Sequence, residues 1–268
     1  MIQELFSIGP ISISPFGVLL ALSFVASYWQ LQRGFRTLGL GDQEVASEVL
    51  IWAGVGGVLG AKLYYTLLYG DWSLLVSRSG LVWYGGFALG AAGALWAMRR
   101  RGIPLASGLD CASVALALGY AVGRIGCFLV GDDYGVPTDL PWGVEFPDGL
   151  PPTTAGALRS TFDVDIPASV PAGELVAVHP TQIYETLAAL VIWRIGVAGL
   201  GRRQAPGAVA ALVLGLLALE RFAVEFLRAK DDRFFGAFTL AQFISLAVLV
   251  VCLWLWAARR RGGEGAGG

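Results

Sequence analysis

Arg221 and Glu225 stand four residues apart in an otherwise apolar run, and Arg124 stands between glycines in Gly123-Arg124-Ile125-Gly126-Cys127. At helical spacing Arg221 and Glu225 share a face and can neutralise each other across a helix interface. The small residues beside Arg124 let a second helix or a ligand head group come close to its guanidinium. Two arginines in apolar surroundings suit an anionic lipid head group, because guanidinium forks grip phosphate oxygens with paired hydrogen bonds. An ionisable side chain at membrane depth costs about 2.5–3.5 kcal/mol on insertion scales. Each such residue therefore faces a cavity, holds a partner or does chemistry. Of the others, Lys62 is expected in a structural salt bridge, and Asp110 as a cap at the start of its own span. Arg194 and Arg228 are expected to snorkel toward an interface. Glu220 takes no assignment.

A second polar cluster is His179-Pro180-Thr181-Gln182-Ile183-Tyr184-Glu185. Proline is ordinary at a helix start, where its missing N–H costs nothing. A helix start does not by itself need His, Gln, Tyr and Glu to enter lipid together. Gln182 and Glu185 lie three apart, and Thr181 and Glu185 four apart, so one polar stripe can face inward. Such a stripe is either a buried hydrogen-bond cluster that packs helices or part of a site. Cys111, Cys127 and Cys252 are too scattered for a disulfide framework or zinc knuckle, and one histidine disfavours His-rich metal chemistry. No metal and no cofactor are expected. Nineteen Lys+Arg against twenty Asp+Glu exclude a basic nucleic-acid binder.

The elements that must carry these residues follow from composition. The chain has 268 residues, 56% hydrophobic and 15% charged, whereas soluble domains run about 45–50% apolar and 25% charged. With about 20 residues per crossing, the apolar stretches predict seven spans, at 15–32, 47–69, 80–98, 105–130, 180–200, 206–228 and 236–258. Backbone amides in hydrocarbon must be satisfied internally, so the spans are helices. The expectation is an all-α polytopic membrane protein.

Arginines follow alternate spans: Arg33 and Arg36, Arg99 to Arg101, Arg202 and Arg203, and Arg259 to Arg261. On the positive-inside rule these ends face the cytoplasm, with the N-terminus outside and the C-terminus inside. The membrane domain is expected over 1–261, including an extracytoplasmic loop at 131–178. That loop, rich in Pro, Gly and Thr, reads as a small irregular cap too poor in apolar residues for a core of its own. Gly262–Gly268 reads as a disordered tail. The chain has no convincing internal repeat, which weakens an inverted-repeat transporter.

His179–Glu185 (HPTQIYE) together with Gly123–Gly135 (GRIGCFLVGDDYG) resembles the prolipoprotein diacylglyceryl transferase family. Gly80–Gly90 (GLVWYGGFALG) and Glu220–Arg228 (ERFAVEFLR) resemble two further segments of it, in the same order and over nearly the whole chain. The resemblance implies a multi-pass protein of the bacterial cytoplasmic (inner) membrane. It implies transfer of the diacylglyceryl group of phosphatidylglycerol to the lipobox cysteine thiol in the signal peptide of a preprolipoprotein. A thioether forms and glycerol phosphate leaves. It implies phosphatidylglycerol contacts for Arg124 and Arg221, and a catalytic part for both of them and for Glu225 and Tyr84. Substrate contacts are implied for Gly85, Gly86, Cys127, Asp132, Gly135, His179, Gln182, Tyr184 and Glu185.

The chain departs from the family at five positions. Tyr84 stands where the family commonly has His, Cys127 where it has Asn, Asp132 where it has Glu, and Phe16 and Leu217 where it has Tyr. Tyrosine has an ordinary pKa of about 10, so as a base Tyr84 needs a nearby arginine to lower it. Water, Glu225 and His179 are the alternative proton acceptors. Cys127 reads as a buried structural cysteine or, alternatively, a covalent relay. The rival readings of the whole chain are a polytopic transporter and a non-catalytic lipid-binding paralogue.

Overall fold

The structure is a computed structural model that describes residues 4–8, 11–76, 82–202, 204–230, 233–235 and 238–264. Each expected span corresponds to a long helix: α1 (Pro15–Leu38), α2 (Gln43–Tyr69), α3 (Trp83–Arg100), α4 (Leu105–Val130), α6 (Thr181–Gly201), α7 (Ala208–Val224) and α8 (Leu240–Glu264). The short α5 (Ala155–Phe162) lies in the 131–178 segment. Among the described residues, four helices have the length and hydropathy to cross a membrane: Gln43–Tyr69, Leu105–Val130, Thr181–Gly201 and Leu240–Ala257. The fold is thus of the all-helical membrane type, with two short hairpins that the apolar pattern did not announce, Phe6–Ile8 with Ile11–Ile13 and Arg233–Phe235 with Phe238–Thr239.

Local chemistry sets the ends. Ser14 caps α1 by accepting from the Gly17 amide at 3.1 Å, and Asp42 caps α2 by accepting from Glu44 and Val45. The span expected to reach 228 is α-helical only to Val224 and tightens into a 3-10 turn over Glu225–Leu227. α8 runs through Glu264, three residues into the stretch expected to lack structure, and residues 265–268 lie outside the described residues. So do Gly80, Leu81 and Arg203, and the side chains of Arg259 to Arg261.

α4 sits at the centre and packs against α1, α6 and α7, with α8 laid on α7. Leu31, Phe35, Met98, Cys111, Val114, Ile192 and Val213 form the core of this bundle. Inside it Trp193 Nε1 donates to Gln30 Oε1 at 2.9 Å, which removes the cost of burying that amide oxygen. α2 and α3 form a separate close pair. A methyl group on Gly56, Gly60, Gly85 or Gly93 would strike a backbone carbonyl of the facing helix. Small residues bring these two backbones together, as in membrane helix pairs generally.

Asp110 does not cap its own helix. It is buried, and its carboxylate accepts from the amides of Gly207 (2.8 Å) and Ala210 (2.7 Å) at the head of α7. The chain turns there through Gly207 at φ 87, and the carboxylate meets the positive end of α7 rather than that of α4.

The 131–178 segment does have a core. Tyr134, Phe146, Leu158 and Val178 are buried together with Ala229, and Phe128 at the end of α4 packs against them. Tyr134 stacks on Phe146 with centroids 5.5 Å apart, and Phe128 meets Phe146 edge-on at 5.7 Å. These aromatics follow no helical or strand period, which hides the cluster from a periodicity reading. Thr154 caps α5, while Arg159 Nε and Nη2 donate to the carbonyls of Ile166 (3.1 Å) and Val170 (2.9 Å) and so brace the loop beyond it.

Candidate functional site

Three helix ends meet at the site: the C-terminal ends of α4 and α7 and the N-terminal end of the antiparallel α6. Arg124 comes from α4, Glu185 from α6 and Arg221 from α7. Glu185 has no exposed side-chain surface and stands between all three arginines of the cluster. It takes a charged hydrogen bond from Arg124, lies 3.6 Å from Arg221 Nη1 and lies 3.8 Å from Arg228 Nη1. Tyr120, one turn before Arg124, donates to the same carboxylate at 3.0 Å. Glu225 Oε2 pairs with Arg221 Nη2 at 2.6 Å and lies 3.7 Å from Arg228 Nε, while its other oxygen accepts from Thr239 Oγ1 at 3.0 Å.

The turn after α4 completes the cluster. Gly131 (φ 73) and Asp133 (φ 58) are both left-handed, a conformation Asp tolerates better than most residues. Asp133 can thus reach back to Arg124 Nη1 at 3.0 Å and pair with Arg228. Gln182 Nε2 donates to the Asp132 carbonyl at 2.6 Å, and Thr181 Oγ1 to the Asp133 carbonyl at 2.8 Å, so α6 holds the turn. Burial pushes both carboxyls up. For Asp132 burial prevails and its pKa is raised; for Asp133 the guanidinium groups of Arg228 and Arg124 outweigh it and hold the pKa down.

Arg228 was expected to snorkel. It is instead buried among Asp133, Glu185 and Glu225, because the 3-10 turn redirects the chain and Arg228 bridges to Gly135 of the cap segment. Its place seven residues after Arg221, on the same helical face, was the available signal. Tyr120, four residues before Arg124, gave a similar one. Asp133 and Thr239 gave none.

The other expected site residues divide into four groups. Gln182 and Asp132 join the cluster, and Cys127, buried, receives an Arg124 Nη1 hydrogen bond at 3.4 Å. Gly135 is a steric crossing: a Cβ there would lie 2.5 Å from the Leu227 carbonyl oxygen and 2.7 Å from His179 Cβ. His179 and Tyr184 stand at the rim, with His179 Nδ1 3.2 Å from the Tyr184 hydroxyl, which also accepts from Trp142 Nε1 at 2.8 Å. An apolar cleft of about 530 Å³ opens beside them, lined by Phe128, Trp142, Val144, Pro180, Ile183, Tyr184 and Leu187. Gly85 and Gly86 lie in the α2–α3 contact, and Tyr84 is exposed near the start of α3. None of these three joins the ion cluster.

The arrangement can take a further anion. Arg124 Nε, Arg221 Nη1 and Arg228 Nε are buried without a hydrogen-bond partner among the described residues. Leaving a buried donor unmet costs about 1–3 kcal/mol, more when it is charged. Arg221 is also reachable, with 26% of its side chain exposed against 9% for Arg124.

The sequence model of the prolipoprotein diacylglyceryl transferase family matches residues 3–258. A phosphatidylglycerol–prolipoprotein diacylglyceryl transferase of Nitratidesulfovibrio vulgaris is 31% identical over 274 residues, covering 97% of this chain and 94% of its own. Those of Solidesulfovibrio magneticus and Stenotrophomonas maltophilia are 32% and 33% identical, over 94% and 95% of this chain and 92% and 90% of theirs.

Proposed function

The chain belongs to the prolipoprotein diacylglyceryl transferase family, and from that premise we propose that its arginine cluster transfers the diacylglyceryl group of phosphatidylglycerol to the thiol of a lipobox cysteine. The observation that carries this reading is the meeting of Arg124 and Arg221 on Glu185, each with a buried donor nitrogen to spare. One phosphate can engage both guanidiniums, with Arg221 as the exposed first contact.

In the reaction the acceptor sulfur, gaining thiolate character as its proton leaves, attacks the diacylglyceryl carbon bonded to the phosphate oxygen. The sulfur–carbon bond forms as the carbon–oxygen bond breaks, and the electron pair stays on the oxygen of glycerol phosphate. Charge therefore grows on the phosphate, where the arginines stand. Donors fixed in a water-poor site stabilise such charge better than solvent does, because they need not reorient. Glu225 and Glu185 keep the forks aimed, and the apolar cleft beside Tyr184 offers hydrocarbon surroundings next to the charged site.

We place all seven long helices across the bacterial cytoplasmic membrane, with the arginine-rich ends inside and the 131–178 cap outside. The positive-inside rule supports this, as does Arg101 at the end of α3, which pairs with Glu44 (2.8 Å) and Glu48 (2.5 Å) at the start of α2. The site then opens toward the outer leaflet. Purified protein incubated with phosphatidylglycerol and a lipobox peptide tests the function. The peptide gains the mass of a diacylglyceryl group, and a peptide with serine in place of the cysteine gains none. An unmodified cysteine peptide overturns the reading.

A further inference from the structure

Glu220, immediately before Arg221 on α7, is a buried acid that the ion pairs leave aside. It is 9% exposed, and its Oε1 is fully buried with no hydrogen-bond partner among the described residues. Tyr120 and Arg124 from α4, Glu185 from α6, its neighbour Arg221, and Arg228 beyond the helix all lie within electrostatic reach of it. α8, on the other side of α7, brings Cys252 against Gly215. The charge tally decides the state of Glu220. Three guanidiniums are matched by the carboxylates of Glu185, Glu225 and Asp133. A further carboxylate buried here in ionised form would be a surplus anion in the cluster, whereas a carboxylic acid leaves the three matched pairs undisturbed.

On the transfer reaction proposed above, we propose that Glu220 is its proton relay. A protonated carboxyl is both donor and acceptor. Its proton passes to the phosphate oxygen as the carbon–oxygen bond breaks, and the carboxylate so formed takes the proton of the acceptor thiol as the sulfur–carbon bond forms. Sulfur loses one proton, glycerol phosphate gains one, and Glu220 ends as it began. The other two buried glutamates are committed elsewhere: Glu225 is held by Arg221 and Thr239, and Glu185 by Arg124 and Tyr120. His179 is turned to Tyr184 at the rim, and Tyr84 is exposed on α3.

The test compares full-length wild type, Glu220→Gln and Glu220→Asp, each purified with phosphatidylglycerol and a lipobox peptide. It reads lipid binding, the rate of peptide mass gain and the pH dependence of that rate. Glutamine keeps the shape and cannot relay. Glu220→Gln is expected to bind phosphatidylglycerol within about twofold of wild type and to transfer on the order of a hundredfold slower. It should lose the fall in rate that wild type shows as its acid ionises. Glu220→Asp should regain part of the rate and a fall of rate with pH, displaced along the pH axis from that of wild type. Wild-type rate and pH profile in Glu220→Gln overturn the relay while the transfer reading stands. If Glu220→Gln does not fold, Glu220→Asp decides: a pH profile unmoved from wild type overturns the relay. A wild type that leaves the peptide unmodified overturns the transfer reading and the relay with it.

Discussion

Arg124 and Glu185, 61 residues apart in the chain, form a buried pair that ties the C-terminal part of α4 to the first turns of α6. Everything charged in the site is arranged around this pair. Arg221 and Arg228 approach the same carboxylate from α7 and the turn after it, and Tyr120 completes its hydrogen bonding.

Arg124→Ala and Arg221→Ala each remove one donor from the proposed phosphate site. By analogy with loss of an oxyanion-hole donor, each should raise the barrier by about 2.7–4 kcal/mol. Transfer to a lipobox peptide should fall at least tenfold while both proteins still insert. Full activity in either variant would remove the clamp.

Replacing Glu185 should damage stability before chemistry. Glu185→Ala leaves three guanidiniums facing one another without their shared anion, and breaking a buried pair from one side costs about 3–5 kcal/mol. A markedly lower melting temperature in detergent is expected. A variant that melts with wild type would show that the arginines find other partners.

Asp110→Ala probes the positioning of α7 from its far end. Loss of a cap costs about 0.5–2 kcal/mol, and this one serves two amides, of which that of Ala210 is buried. Thermal stability should drop, and the transfer rate should drop with it, because the cap helps fix the height of Glu220 and Arg221. Unchanged melting would mean that the α6–α7 turn holds itself.

The two aspartates of the turn should respond oppositely to pH. Asp133 has its pKa held below the ordinary value by Arg228 and Arg124 against the pull of burial, so its contribution is complete above about pH 4 and fades as pH falls through the folded-state value. Asp132, raised by burial, contributes at acid pH and loses that contribution as pH rises through its folded-state value. Melting curves of Asp133→Asn should lie below wild type at neutral pH and converge with it in acid. Parallel curves would exclude Asp133 as a source of acid sensitivity.

Gly135→Ala should displace the cap. A methyl group at this crossing meets the Leu227 carbonyl and the His179 side chain, and neither backbone can yield without shifting Arg228. Overpacking of this kind costs about 1–3 kcal/mol. Faster proteolysis within 131–178 is the expected readout, and a wild-type digestion pattern would refute the crossing.

The approximate positions of the long helices were legible from the apolar runs, since runs of bilayer length leave the backbone little choice but to bond within itself, whereas the short α5 of the 131–178 segment was not. Arg124, Arg221 and Glu225 could be picked out because charge in such runs is costly and therefore conspicuous. Spacing within one helix also announced the Arg221–Glu225 pair. What it could not announce was any partner on another helix. Glu185 as the shared anion, Asp110 as the cap of α7 and Asp133 as the partner of Arg228 each depend on contacts across 61 to 100 residues. Arg228 follows the same rule: a side chain at a helix end can reach water or turn inward, and the 3-10 turn after Val224 decides which. Periodicity records which face of a helix avoids water. Only the packed structure fixes which charges meet there, because that depends on how three helix ends are set against one another.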